Sequence, residues 1–380
     1  MSTTLAEPPS HSLSTQPALL DAWFTRCPTL TAFSLAIQLG WLEDEFAGDD
    51  SISFRALQTT NDPKIHQSHY AHTQKNSFRH GGSYPAIWAQ SNDANTRVIG
   101  LSWTPSPQRI LSLPNSGINT VADLKGKRLL LVRRPNEDID FISASALRTY
   151  EVALASAGLT LNDVTIVDHN IERSLVSDRV QYGSPKYVTF SKTRKTGRGT
   201  ENIWGLLNGE ADAIVGPENL IEILGLNVVF SSDTLPPEAQ TNNGTPQTFA
   251  VNAELIEERP DFVARVYVRA LQAVEWARNN RSEAIRIVAR EQGRTELQVD
   301  ETFGDTFQTA IEVGLNPKHI EALRTVKDFA FRHGYLEKDF DLNNWIDPRP
   351  LRAAQALLEE RRKTAAYRAE VAPRSSAIRE

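Results

Sequence analysis

From Ala18 onward the chain alternates short apolar runs with amphipathic segments, and this alternation constrains its fold more than any other feature. Strands buried on both faces read as continuous apolar runs, and parallel neighbours need a crossover, usually helical, so such a chain folds as α/β. Residues 97–103 (RVIGLSW), 128–132 (RLLLV), 164–167 (VTIV) and 227–230 (NVVF) read as strands. Residues 143–157 read as a helix that starts at a serine N-cap, ends before Gly158 and carries Ala144, Leu147, Val152 and Leu154. Residues 260–278 read as a second helix, with Pro260 in the first turn and Phe262, Val266, Ala270 and Val274 four apart on one face.

A length of 380 residues predicts two or three folding units with ample core. The chain is 40% hydrophobic and 23% charged with a net charge of -6, which excludes fibrous, low-complexity and membrane-spanning classes and leaves no basic surface for nucleic acid. Residues 1–17, rich in Ser, Thr and Pro, read as a flexible tail. The first twenty residues contain no Lys or Arg, so they do not read as a secretory signal, and a cytoplasmic protein without membrane insertion is expected. A basic run at 186–200 (KYVTFSKTRKTGRGT) reads as a solvated loop or as a lid over an anionic ligand.

The single cysteine, Cys27, excludes an intramolecular disulfide. Pro28 follows it, then a helical stripe of Leu30, Phe33 and Ile37; since proline favours the first helical position, Cys27 is expected at or just before a helix N-cap. There the positive end of the helix dipole favours thiolate, and Arg26 adds a further positive charge. The alternative is a buried, inert thiol.

Four of the eight histidines, His66, His69, His72 and His80, fall between residues 66 and 80. Their spacing lacks the carboxylates or thiols that would complete a metal site, so no metal or other cofactor is expected, and an acid or base partner for the cysteine fits better. Arg79, with Gly81 and Gly82 before a helix-opening Ser83, forms a candidate oxyanion site: the glycines admit close backbone approach, the arginine offers a planar fork of donors, and the helix start offers free N–H groups.

Residues 121–128 (VADLKGKR) resemble the start of the second lobe in type II periplasmic-binding-protein folds. In these folds the chain crosses twice between two α/β lobes that flank a cleft. The resemblance implies lobe 1 from 18–120 plus 240–351, lobe 2 from 121–239, a second crossing in the Pro/Asn-rich stretch 233–250, and a C-terminal helical extension over 352–380. More specifically, the segment around Cys27-Pro28, the stretch from His69-Tyr70 to Gly81-Gly82, GEADAI at 209–214, residues 258–280 and LEKDFDLNNWIDPRPL at 336–351 resemble the 2′-hydroxybiphenyl-2-sulfinate desulfinase family. That resemblance implies hydrolysis of an aryl carbon–sulfur bond with release of sulfite, by a monomer that needs no cofactor. It assigns Cys27, His69 and Arg79 to catalysis, with Arg79 and the Gly82 N–H on the sulfinate oxygens; Tyr70 and Gly81, beside these residues in the sequence, are expected against the substrate as well.

The same fold implies a competing reading, a non-catalytic receptor for a sulfonate or similar organic anion, which would use Arg79 and Gly82 without reacting. A third, a pyrimidine-synthesis protein of the thiamine pathway, finds no support in a cysteine-rich motif. In every reading the partner is a small molecule.

Overall fold

The computed structural model describes residues 19–172 and 201–373, apart from Pro28, Asn61 and Pro217. The N-terminal tail and the basic run at 186–200 lie outside the described residues.

Two five-stranded sheets form the frame. The first contains β1 (Leu20–Thr25), β2 (Ile52–Ala56), β3 (Ser77–Gly82) and β4 (Thr96–Ser102); the second contains β5 (Arg109–Ser112), β6 (Arg128–Arg133), β7 (Thr165–Asn170), β8 (Ala213–Gly216) and β9 (Asn227–Ser231). The last strand, β10 (Gln247–Asn252), returns to the first sheet, whose order is β2-β1-β3-β10-β4, while the second runs β7-β6-β8-β5-β9. Apolar runs in the sequence therefore mark β4, β6, β7 and β9 to within a few residues.

Sheet membership changes between Ser102 and Arg109 and again between Ser231 and Gln247. The first change precedes the boundary expected after residue 120. The reason is β5, whose four residues sit among prolines and show no pattern, yet pair antiparallel with both β8 and β9. Thr104 Oγ1 donates to the carbonyls of Leu30 (3.1 Å) and Ala310 (3.2 Å), and Thr245 Oγ1 donates to the Thr104 carbonyl (2.9 Å), so the two crossings are tied together.

Helices follow from their caps. In α1 (Ala32–Gln38) the Thr31 side chain accepts from the Ser34 N–H, and in α2 (Pro63–Ala71) Asp62 accepts from Lys64 with proline in the first turn. A third helix, α3 (Ser83–Ser91), leaves β3 directly. In α4 (Phe141–Ser156) Asp140 accepts from the Ser143 N–H, so the helix begins ahead of the serine that seemed to start it. The stripe on α5 (Pro260–Asn279) behaves as its spacing predicts: Phe262, Val266 and Ala270 are fully buried and Val274 nearly so. They join Phe24, Phe33, Phe78 and Phe249 in one aromatic-rich core behind the first sheet.

A buried ion pair locks β1 to this helical layer. Arg26 Nη2 donates to both carboxylate oxygens of Glu291 (3.0 and 2.9 Å) on α6 (Arg281–Gln292), and Gln38 Nε2 donates to the same carboxylate. The C-terminal α7 (Arg349–Arg362) and α8 (Ala365–Val371) also belong to this lobe, since Ala354, Leu358 and Tyr367 enter its core and Arg361 joins Arg265 and Arg269 around the Glu45 carboxylate.

Removing one member of a buried pair strands the other charge, which costs about 3–5 kcal/mol. Glu291→Ala is therefore expected to lower the midpoint of thermal unfolding by several degrees, whereas removing the exposed Arg55–Asp21 pair by Asp21→Asn changes stability by less than about 1 kcal/mol and leaves the midpoint nearly unmoved. Scanning calorimetry of the two variants checks this.

Candidate functional site

Strand register brings the separated segments together. β1 and β3 run parallel, with Thr25 opposite Arg79, and the two chains leave the sheet side by side at their carboxyl ends. That edge is where open α/β sheets bind ligands. The carboxyl end of β4 and the first residue of β10 lie on it too, because Gln247 pairs with both Gly82 and Ser102.

Two residues beyond the Thr25–Arg79 pair stand Cys27 and Gly81. The thiol packs onto the Gly81 backbone: a Cβ placed on Gly81 would lie 2.8 Å from Cys27 Sγ, 3.0 Å from Cys27 Cβ and 3.5 Å from Arg79 Nη2. Sulfur and guanidinium thus converge on one point that only glycine leaves open. Cys27 is half-buried and unbridged, and Arg79 is 5% exposed. The guanidinium is held by its own chain, with Nε donating to the His69 carbonyl (3.0 Å) and Nη1 to the Gly82 carbonyl (2.8 Å).

The sequence expectation for Cys27 needs correction. It lies in the turn between β1 and α1, where the Thr29 N–H donates to its carbonyl (2.7 Å), and the helix N-cap is Thr31. The thiol therefore stands ahead of the helix start rather than at it. The Arg26 guanidinium, expected to assist the thiol, points into the core at Glu291.

His69, in the last turn of α2, is buried and bonds through Nδ1 to the Thr25 hydroxyl; among the described residues no hydrogen bond joins it to the thiol. Tyr70 is buried as well. Its ring meets His69 edge to face (4.7 Å between centroids) and stacks on Phe141 of α4 (5.9 Å). Gly82 answers to a different neighbour, because a Cβ there would lie 2.6 Å from Asn243 Oδ1. Asn243, on the second crossing, also takes the N–H groups expected to face an anion: its carbonyl accepts from Ser83 (2.7 Å) and its Oδ1 from Tyr84 (3.0 Å). Capping of α3 is thus internal, and Asn243 occupies the N–H groups expected to face an anion.

The other histidines serve the fold. His66 Nε2 bonds the Thr60 carbonyl (2.6 Å). His72 ends α2 in the left-handed region and is buried, and desolvation, reinforced by Arg79, pushes its pKa well below 6.5. His80 stacks on Phe249, bonds Ser102 Oγ through Nε2 (3.0 Å), and is pushed down to about 3 by burial and by Arg79. Among the described residues no group of three or more His, Cys, Asp or Glu is arranged to hold a metal, and no helix is long and apolar enough to cross a membrane.

One participant carries no local sequence signal. Gln58, just past β2, accepts the Arg26 N–H (3.2 Å) through Oε1, and its Nε2 donates to the Arg26 carbonyl (3.1 Å) and toward Thr25 Oγ1 (3.4 Å). Only the β1–β2 pairing reveals it.

Similarity to known proteins agrees with this fold. A family model described as NMT1/THI5 like matches residues 68–284, more than half of the chain. The chain belongs to the NMT1/THI5-like family. Within reach of this NMT1/THI5-like protein are 2′-hydroxybiphenyl-2-sulfinate desulfinases of Rhodococcus erythropolis and Rhodococcus qingshengii, each 22% identical over 350 residues, covering 86% of this chain and 91% of theirs. The crystal structure of a cysteine-to-serine mutant of the desulfurization enzyme DSZB in complex with biphenyl-2-sulfinic acid superposes with a TM-score of 0.66 at 19% identity, over 89% of this chain and 99% of that one. The periplasmic aliphatic sulphonate binding protein SsuA of Escherichia coli does so at 0.58 and 17%, over 87% and 92%. The fold is the two-lobed, periplasmic-binding-protein-like one.

Burial of neutral His72 and His80 makes the family member acid-sensitive. The unfolded chain takes up protons on these imidazoles below about 6.5 and the folded chain does not, so stability present above that pH is lost as pH falls toward about 3, at about 1.4 kcal/mol per pH unit for each proton. Urea unfolding midpoints at pH 7 and 4.5 are expected to differ less in His80→Gln, which keeps a partner for Ser102 but does not titrate, than in the wild type.

Proposed function

We propose that this protein is a cofactor-independent hydrolase that cleaves the carbon–sulfur bond of an aromatic sulfinate and releases sulfite. The observation that carries the reading is the meeting of Cys27 Sγ and the Arg79 guanidinium over Gly81. A receptor needs the cation alone, whereas bond cleavage needs a reacting group beside it. Similarity to desulfinases over nearly the whole chain supports the same reading.

Arg79, with Nε and Nη1 fixed on backbone carbonyls, is the preorganised cation for the sulfinate oxygens and needs little reorganisation when charge builds on them. Cys27 acts on the carbon–sulfur bond, by protonating the ring carbon or by attacking sulfur, and His69 serves the thiol. In either order the net change is the same: water supplies a proton to the ring carbon and hydroxide to sulfur, and the products are the arene and bisulfite. Gly81 leaves open the point toward which the thiol and guanidinium converge, and Gly82 holds Arg79 through its carbonyl.

Similarity to SsuA and the absence of a thiol–imidazole hydrogen bond among the described residues favour a second reading, reversible binding of an organic sulfonate.

Sulfite release from a panel of aryl sulfinates separates the two. The wild type is expected to liberate sulfite, Cys27→Ser to liberate none while folding normally, and Arg79→Lys to lose turnover by about 10²-fold because a single ammonium does not replace the fork. Full turnover by Cys27→Ser removes the thiol from the mechanism. Sulfonate binding without sulfite from any member of the panel establishes the receptor.

A further inference from the structure

The turn that carries Cys27 is tied to distant parts of the chain by contacts that the proposed roles do not use. Gln247, the first residue of β10, is 2% exposed, and its Nε2 donates to Thr29 Oγ1 (2.6 Å). The Thr29 N–H in turn donates to the Cys27 carbonyl (2.7 Å), so two hydrogen bonds join the buried amide to the cysteine backbone. The next residue is held as well: the Leu30 carbonyl accepts from Thr104 Oγ1 (3.1 Å), and the Thr104 carbonyl accepts from Thr245 Oγ1 (2.9 Å). Thr104 and Thr245 are buried and lie on the two stretches where the chain passes between the sheets.

The Gln247 amide is not explained by packing. Among the described residues its Oε1 is buried without a hydrogen-bond partner. A buried acceptor left unpaired destabilises the fold, and an apolar side chain of similar length would avoid that cost. What the amide adds is the bond to Thr29. The sulfur packs onto the Gly81 backbone, so a small shift of the turn moves it off that contact.

We propose that Gln247 and Thr29 are positioning residues for Cys27: the bond between their side chains, backed by Thr104 on the following residue, fixes the turn so that the sulfur stays seated over Gly81. They act through the backbone of the turn and not on the substrate. The catalytic meaning of this placement rests on the hydrolase reading; the placement itself does not.

Because the chain has one cysteine, alkylation by iodoacetamide reports Cys27 alone. Thr29→Val keeps the shape of the side chain and removes the hydroxyl. Its alkylation rate at neutral pH is expected to rise about fivefold, the factor that one net hydrogen bond represents, and Thr29→Ser to return it to the wild-type value. Gln247→Met is expected to raise the rate similarly while its urea unfolding midpoint holds or rises, because the unpaired acceptor leaves with the amide. The control is Tyr150→Phe, which removes a buried hydroxyl bonded to the Leu130 carbonyl (2.7 Å) in the second sheet; it is expected to lower the midpoint and leave the rate unchanged. A Thr29→Val rate equal to or below that of the wild type overturns the proposal, as does a rise of the same size in Tyr150→Phe. Sulfite release is scored separately, with kcat of Thr29→Val expected to fall and KM to stay nearly constant. The expected alkylation pattern with no sulfite from any sulfinate, even by the wild type, defeats the hydrolase reading and leaves the positioning roles standing.

Discussion

The arrangement depends on one steric fact, that residue 81 has no side chain. Parallel pairing of β1 with β3 delivers Cys27 and residue 81 to the same edge in the same register, and any Cβ there would overlap the sulfur at 2.8 Å. Glycine turns that collision into contact, with the Arg79 guanidinium at its rim. The sheet edge supplies the place, because strands that run parallel end together and leave their exits open to a ligand.

Around this contact the protein spends polar burial to hold the turn still. Arg26 is drawn into the core by Glu291, Gln58 bonds its backbone on the other side, and Cys27 follows with little freedom left. Arg79 is braced in the same way by the His69 and Gly82 carbonyls. These interactions orient groups before a ligand arrives, which is where catalytic and binding sites gain most. The same scaffold holds both a desulfinase and sulfonate receptors among similar structures, so fold alone does not choose between reaction and capture. In the hydrolase reading proposed above, the thiol beside the cation makes that choice.

Much of the frame was legible because burial writes itself into periodicity: β4, β6, β7, β9 and the Phe262 to Val274 stripe were all visible as apolar patterns. Features decided by distant partners were not. Pro28 pointed to a helix start, yet Thr31 caps α1. Ser83 promised open N–H groups, but Asn243 arrives from a crossing far along the chain and occupies them. The stacking of Phe141 on Tyr70 likewise joins residues far apart in the chain. The resemblance named Cys27, His69 and Arg79, and the structure brings thiol and guanidinium toward one point and bonds the imidazole to Thr25. Gln58 was invisible, since a side chain that replaces a strand partner leaves no mark in local sequence.

The central claim is that Cys27 and Arg79 share one anion-binding niche. It is tested most directly by the rate at which iodoacetamide labels Cys27 in the presence of an aryl sulfinate, compared with the neutral arene of the same shape. The account predicts that the sulfinate protects the thiol, that the arene does not, and that protection disappears in Arg79→Leu. Labelling at an unchanged rate across the full range of sulfinate solubility, or equal protection in Arg79→Leu, would contradict it.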